Sequence, residues 1–319
     1  MKLVVMGTGP FAVPMFESLL ASKHQLLALV TRPVRPSRQR GRSLAEPMRQ
    51  AGLAAGLEIL DPEDVNTSAS QQQLAELAAD LLVVCDFGQI LSADSLSVTP
   101  LGGINLHGSL LPRYRGAAPV QWALIQGESS TGVSVIHMTP RLDAGPILAS
   151  RKTTIGPCEN AGELEQRLSI LGVEPVLDAI DLLTDWDQHS SLGIQQQEDQ
   201  ACPARRLTKQ DGQLDWSLPA VELCRRLRGL QPWPGCFTNW QRVGKPPLRL
   251  IIEQAEPLPA AAGDLPAAGT VTECDGTLLV ATGDGLLSLL QVQPAGKRSM
   301  SIEEFSRGYQ IAAGDQLGP

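Results

Sequence analysis

The 319-residue sequence contains no Cys-x-x-Cys pair, no internal repeat, no low-complexity segment of consequence and no apolar run long enough to span a bilayer. Its six cysteines, at 85, 158, 202, 224, 236 and 274, are too scattered for a zinc ribbon or a disulfide framework, and are expected to be reduced packing thiols. Lys2 to Met6 begins like a secretory leader, but Gly7-Thr8-Gly9-Pro10 interrupts it before a sufficient apolar region forms. A cytoplasmic protein without membrane association is expected. An excess of positive charge is also missing. With 34 acidic and 26 basic residues the formal net charge is −8, which argues against general nucleic-acid binding, where phosphate neutralisation drives affinity.

Positive charge is present locally. Arg32, Arg35, Arg38, Arg40 and Arg42 share one stretch without an acidic residue, and smaller clusters occur at Arg205, Arg206, Lys209 and at Arg225, Arg226, Arg228. Each fits either a solvated surface segment or a phosphate-facing one. Pro33 to Pro47 has no hydrophobic periodicity and reads as a long exposed loop, uncommon unless functional or disordered.

The length is comfortable for two domains, each able to bury a core. Lys2–Met6 reads as a buried strand, Gly7–Ala12 as a glycine turn and the residues through Leu20 as a helix. Gln25–Val30 and Leu57–Leu60 read as strands, with a helix from Pro47 to Ala55 and another from Glu63 to Ala79. Asp80–Cys85 is a continuous apolar run typical of a central parallel strand. The βαβ order predicts an α/β domain with a mostly parallel, doubly wound sheet, closed by helical periodicity from Glu159 to Trp186. Gln188–Ala204 is rich in Gln, Ser and acidic residues and reads as a linker. Beyond it, Ser217 is a candidate cap for a helix with apolar face Val221, Cys224, Leu227 and Leu230. Asp275-Gly276 and Gly283-Asp284-Gly285 between strand-like runs then predict hairpins and a small antiparallel barrel. These features divide the chain into a domain over 1–187, a linker over 188–207 and a second domain over 208–319.

Gly7-x-Gly9-x-x-Ala12 fits a dinucleotide-binding fingerprint. The next strand ends at Val30-Thr31-Arg32 with no acidic residue for a ribose hydroxyl, although Arg32 leaves an NADP reading open. Elsewhere, Gly103–His107 reads as a strand, whose alternation puts Asn105 and His107 on one face. Asp143, in the turn after the strand Val133–Met138, can reach the same opening. An amide, an imidazole and a carboxylate form a proton-transfer and oxyanion-stabilising set without a nucleophile, enough for direct acyl transfer between two substrates. A strand-end Asn and a core His satisfied by hydrogen bonds would give the same pattern, as would a barrel protein that only binds RNA.

The block Asn105-Leu106-His107-Gly108-Ser109-Leu110-Leu111-Pro112-Arg113-Tyr114-Arg115-Gly116-Ala117-Ala118-Pro119, with Leu142-Asp143-Ala144-Gly145, closely resembles the folate-dependent formyltransferases. Within that family it is most similar to the branch acting on methionyl-tRNA. Further similarity lies in Asp215-Trp216-Ser217, Pro232-Trp233-Pro234-Gly235, Ala281-Thr282-Gly283-Asp284-Gly285 and Gln293-Pro294-Ala295-Gly296-Lys297. Asp86-Phe87 departs from it, standing where the family usually carries a small residue and Tyr. The resemblance implies a Rossmann-like domain followed by a helix-plus-β-barrel (OB-like) domain. It implies a monomeric enzyme that transfers a formyl group from 10-formyltetrahydrofolate to the α-amino group of methionyl-initiator tRNA for translation initiation, without a metal. On this basis Asn105, His107 and Asp143 are catalytic, and Asp86, Phe87, Gly88, Gln89, Ser109, Leu110, Leu111 and Pro112 line the folate site. The Arg32, Arg35, Arg38, Arg40, Arg42 stretch would contact tRNA. His107, favoured in its charged form by Asp143, would stabilise a developing oxyanion, or Asp143 would relay the amine proton through water.

Overall fold

A strand apolar on both faces must be covered on both, and Leu3 to Met6 are fully buried within β1 (Lys2–Gly7). The computed structural model describes residues 1–34, 46–242, 244–259, 265–274 and 277–318. Arg35, Arg38, Arg40 and Arg42 of the basic stretch, and the Asp275-Gly276 hairpin tip, lie outside the described residues. After β1 come α1 (Val13–Leu20), β2 (Gln25–Val30), α2 (Pro47–Ala54), β3 (Glu58–Leu60), α3 (Ser68–Glu76), β4 (Leu81–Cys85), α4 (Ala93–Leu96) and β5 (Gly103–His107). They are followed by β6 (Arg115–Gly116), α5 (Pro119–Ile125), β7 (Ser130–His137), β8 (Ile147–Thr154), α6 (Ala161–Leu171), α7 (Val173–Thr184) and β9 (Pro203–Ala204).

A seven-stranded sheet runs in the order β3-β2-β1-β4-β5-β7-β8. Pairing is parallel from β3 to β5, then antiparallel for β7 on β5 and β8 on β7. The α/β, mostly parallel expectation therefore holds. Strand order reverses between β1 and β4, so the crevice of this sheet opens beyond their carboxyl ends, where the turns after β1, β4 and β5 emerge. The sequence does not predict β8, because Ser150 to Thr154 alternate between exposed and partly buried positions without any apolar residue.

Two other boundaries differ for local reasons. The helix expected from Glu63 begins only at Ser68, because Thr67 accepts the Ser70 N–H and caps it there. The long helical run from Glu159 is two helices, α6 and α7, which meet at Gly172.

By its internal contacts the chain forms two compact units. One comprises 1–119, 130–155 and 163–205, the other 120–129, 156–162 and 206–319. The second contains α8 (Ala220–Gly229), β10 (Cys236–Gln241), β11 (Leu248–Leu258), β12 (Val271–Cys274), β13 (Thr277–Ala281), β14 (Leu286–Pro294), β15 (Met300–Ser301), α9 (Ile302–Tyr309) and β16 (Gln316–Gly318). Antiparallel order β12-β13-β14-β11-β10-β16 is completed by a bridge from Thr270 to Gln316, which joins the two outer strands and closes a barrel. Closure removes free sheet edges.

Helix α8 buries Ala220, Leu223 and Leu227; of the expected face, Leu227 and Leu230 are buried, Cys224 is partly buried and Val221 is exposed. The Ser217 hydroxyl is spent on Asp215 Oδ1 at 2.6 Å instead of capping, so the helix starts three residues later. Arg228 is also spent internally, donating to the carbonyls of Gly156 and Glu159, both at 3.3 Å. Helix α9 is not among the predicted elements, although Ser301-Ile302-Glu303-Glu304 carries the cap signal, with the Ser301 hydroxyl accepting the Glu304 N–H.

No disulfide links the described cysteines, and burial pushes the Cys85 thiol well up and the Cys236 thiol up to about 12. A raised thiol pKa leaves less thiolate at pH 8. A soft alkylating reagent at that pH should therefore label exposed Cys158 and leave Cys85 and Cys236 unmodified until the chain unfolds, as read by peptide mass spectrometry.

Candidate active site

Alternation along β5 places Asn105 and His107 on one face, as the sequence requires. The His107 side chain is only 6% exposed, and its Nε2 lies 2.8 Å from the Tyr114 carbonyl oxygen. A carbonyl can only accept, so Nε2 carries a hydrogen and donates it. Nδ1 is the nitrogen left for chemistry, and it faces Asp143 Oδ2 at 3.6 Å. That oxygen also accepts the Gly116 N–H at 2.9 Å, while Asp143 Oδ1 lies 3.4 Å from Asn105 Nδ2. All three residues singled out for catalysis thus meet within one unit.

Asp143 reaches them by an unexpected route. Strand β7 runs antiparallel to β5, so the loop that follows it starts at the opposite end from the turns after β1, β4 and β5. Residues 138–146 fold back over the sheet face that carries Asn105 and His107. The turn is tight enough that a methyl group at Gly145 would collide with the His137 carbonyl. Asp143, Tyr114 and Asp86 have φ of 47°, 61° and 48°, left-handed values that side-chain-bearing residues adopt at a cost of order 1–3 kcal/mol each. Strain of this kind gathers where geometry serves chemistry.

The residues expected to line a folate site divide into inward and outward groups. Ser109 is fully buried, with its hydroxyl donating to the Arg113 carbonyl at 2.7 Å, and Leu111 is buried with its N–H on Ser134 Oγ at 3.0 Å. Leu110 and Pro112 remain partly exposed. In the turn after β4, Asp86 and Gly88 are exposed, but the Phe87 side chain belongs to the core around Val4, Met6, Val30 and Leu91. Gln89 is also turned inward: its Oε1 accepts the Val65 N–H at 2.9 Å and its Nε2 donates to Pro62 at 3.3 Å. Arg32 Nη2 donates to the Gly88 carbonyl at 2.7 Å, which joins the start of the basic stretch to this turn.

The glycine fingerprint has a packing explanation. A Cβ at Gly9 would collide with the Asp86 carboxylate, and one at Gly7 would press on the Cys85 carbonyl. A carboxylate over the glycine turn opposes a pyrophosphate there, the reverse of what a dinucleotide site needs.

A family model described as formyl transferase matches residues 1–180, and one described as formyl transferase, C-terminal domain matches 206–310. A methionyl-tRNA formyltransferase of Rhodopirellula baltica is 47% identical over 325 residues, covering 99% of this chain and 96% of its own. A protein of the same name from Solibacter usitatus is 38% identical, with coverage of 100% and 99%. The chain belongs to the methionyl-tRNA formyltransferase family.

Among solved structures, the fold is shared with WlaRD, a sugar 3N-formyl transferase crystallised with dTDP and 5-N-formyl-THF. The TM-score is 0.63 at 14% identity, over 93% of this chain and 99% of that one. HypX from Aquifex aeolicus, solved with tetrahydrofolic acid, gives a TM-score of 0.60 at 14% identity over 98% of this chain and 48% of its own.

For this member of the methionyl-tRNA formyltransferase family, several groups at the site have no signature in the sequence. The Tyr114 carbonyl and the Gly116 N–H are backbone groups and have no residue-type signature. The stretch read as a linker is built into the site from Ile194 onward: Ile194 pairs with Ile147, β9 pairs with β6, and Cys202 Sγ accepts the Tyr114 N–H at 3.2 Å. No motif in that stretch announces this.

Phe87 supplies a direct test of the inward assignment. Phe87→Ala should lower the unfolding free energy by about 3–5 kcal/mol, the range for a fully buried aromatic, measured by urea denaturation. A loss below about 1 kcal/mol would place the ring outside the core.

Proposed function

We propose that the protein transfers the formyl group of 10-formyltetrahydrofolate to the α-amino group of methionyl-initiator tRNA in the cytoplasm. The observation that carries this reading is the meeting of Asn105, His107 and Asp143 at one point of a chain related end to end to methionyl-tRNA formyltransferases. No helix among the described residues is long and apolar enough to cross a membrane.

In the reaction, the methionyl nitrogen attacks the formyl carbon, forming a C–N bond and a tetrahedral intermediate with negative oxygen. Asn105 Nδ2 donates to that oxygen. His107, whose Nε2 hydrogen is committed to Tyr114, contributes through Nδ1 on the Asp143 side. Asp143 takes the proton lost by the attacking amine, its Oδ2 being oriented by Gly116. Collapse of the intermediate breaks the carbon's bond to the folate nitrogen, which recovers a proton as tetrahydrofolate leaves. The balance needs no further reactant. The outward residues Leu110 and Pro112 after β5, and Asp86 and Gly88 after the neighbouring β4, supply the wall for the folate.

The second unit is assigned to tRNA support. Its barrel presents Arg249, with the guanidinium 3.6 Å from the centre of the Phe237 ring, and Arg242, 5.8 Å from that of Trp240. Planar cations held beside aromatic rings suit phosphates and unpaired bases. Among the described residues, no acid-base set of the kind found in the first unit accompanies them.

Purified protein incubated with methionyl-tRNA and 10-formyltetrahydrofolate should yield formylmethionyl-tRNA, read from the mass of the aminoacyl group. Unmodified methionine after prolonged incubation would refute the assignment. Asn105→Ala and His107→Ala should each lower kcat by roughly a hundredfold or more. Both variants should stay folded by circular dichroism, and near-normal turnover in folded His107→Ala would remove it from the reaction.

Arg249→Ala should weaken methionyl-tRNA binding and make its salt dependence shallower by about one phosphate contact, with tetrahydrofolate affinity unchanged. An unaltered salt slope would remove Arg249 from the interface.

A further inference from the structure

The Asp143 carboxylate is held from the front by Gly116 and faces His107 and Asn105. Its backbone is held from behind by a group the reaction does not otherwise call on. Gln196 Nε2 donates one hydrogen to the Asp143 carbonyl at 2.9 Å and the other to the Gly145 carbonyl at 2.7 Å. Both amide hydrogens are therefore spent on the loop that delivers Asp143. Gln196 Oε1 accepts from Arg115 Nη2 at 2.7 Å and Nε at 3.0 Å. The Arg115 guanidinium is in turn held by Glu198, through Nη1 at 3.1 Å and Nη2 at 3.2 Å.

These bonds form a ring. Arg115 grips Gln196, Gln196 grips the Asp143 backbone, and Gly116, the residue after Arg115, grips the Asp143 carboxylate. Strand β6 thus fixes both ends of one residue, through a side chain on one side and an N–H on the other. Such a hold helps keep Asp143 at its left-handed φ of 47°, a region that non-glycine residues visit uncommonly, aspartate more readily than most. Gln196 reaches it because Ile194, two residues earlier, is locked to Ile147 by reciprocal N–H to carbonyl bonds of 2.8 Å.

We infer that Gln196 is a positioning residue for formyl transfer, with Arg115 and Glu198 as its support. By fixing the Asp143 backbone it keeps the carboxylate aimed at His107 Nδ1 and Asn105. The inference rests on Asp143 acting in the reaction as proposed above. It makes the middle of the supposed linker part of the catalytic apparatus.

The test uses the full-length chain. Gln196→Met keeps the side-chain length and removes both donors, and Gln196→Glu removes the donors while keeping a partner for Arg115. In each, kcat should fall by about tenfold to a hundredfold, the scale for a catalytic group displaced by about an ångström. KM for methionyl-tRNA and for the formyl donor should stay within about twofold. The pH profile of kcat should also change, which a general loss of stability would not cause. Gln195→Met, on the exposed neighbour, should keep the wild-type rate.

The deciding measurement is the double variant. In an Asp143→Asn background Gln196→Met should cost nothing further, since residues that act through one another are non-additive. Wild-type kcat in both Gln196 variants would overturn the inference, as would an equal fold-loss in the Asp143→Asn background or failure of both variants to fold. If the unsubstituted protein forms no formylmethionyl-tRNA, the functional reading fails instead, and the two failures are told apart.

Discussion

The hydrogen bond from the Gly116 N–H to Asp143 Oδ2 is the constraint on which the site depends. It ties the segment that follows β5 to the loop that follows β7, two stretches that leave the sheet at opposite ends. Without it the carboxylate would have no fixed place opposite His107 Nδ1, and Asn105 would face an unanchored acceptor. A hydrogen bond to a charged acceptor contributes about 1.5–3 kcal/mol, the same order as the cost of holding a non-glycine residue at left-handed φ. The bond and the strain at Asp143 are therefore of comparable size.

The sheet topology follows from the same need. A purely parallel sheet delivers its loops to the carboxyl ends of its strands, which suits the turns after β1, β4 and β5. A carboxylate that must face the side chains of Asn105 and His107 has to come across the face of β5, and an antiparallel neighbour turning back on itself supplies such a loop. Strands β7 and β8 perform that turn, with Gly145 permitting close approach to the His137 carbonyl. The antiparallel extension at one side of the sheet thus brings Asp143 to Asn105 and His107.

Much of this was legible in the sequence, and what was not had a common cause. Apolar runs fixed by burial on both faces, such as Leu3–Met6 and Leu81–Cys85, identify themselves, because no other environment suits them. Asn105 and His107 were legible because their spacing matches the period of a strand. On α8 the periodicity identifies Leu227 and Leu230 as buried, while in the first turn Ala220 and Leu223 take the inward places that it gives to Val221 and Cys224. Phe87 and Gln89 were placed on a ligand surface because they sit in a turn at the right end of a strand, yet one ring packs in the core and one amide braces Pro62 and Val65. Position along the chain indicates which turn a residue occupies, and the direction of its side chain depends on partners that are distant in sequence.

The segment read as a linker shows the limit most clearly. Polar, glutamine-rich composition suits a solvated connection, and composition alone cannot separate that from a strand-like segment whose polar groups are spent on one loop. Gln196 is one of three consecutive glutamines, and only the middle one turns inward, because the Ile194–Ile147 pairing fixes which side faces the Asp143 loop. Its amide offers two donors and an acceptor in a fixed plane, and the site uses all of them, on two carbonyls and one guanidinium. A carboxylate in its place would repel both carbonyls, and a lysine would lose the acceptor that Arg115 needs. The chemistry of that position is therefore narrow even though its sequence surroundings are nondescript, and a polar segment that reads as a connection can belong to the packed body of the first unit.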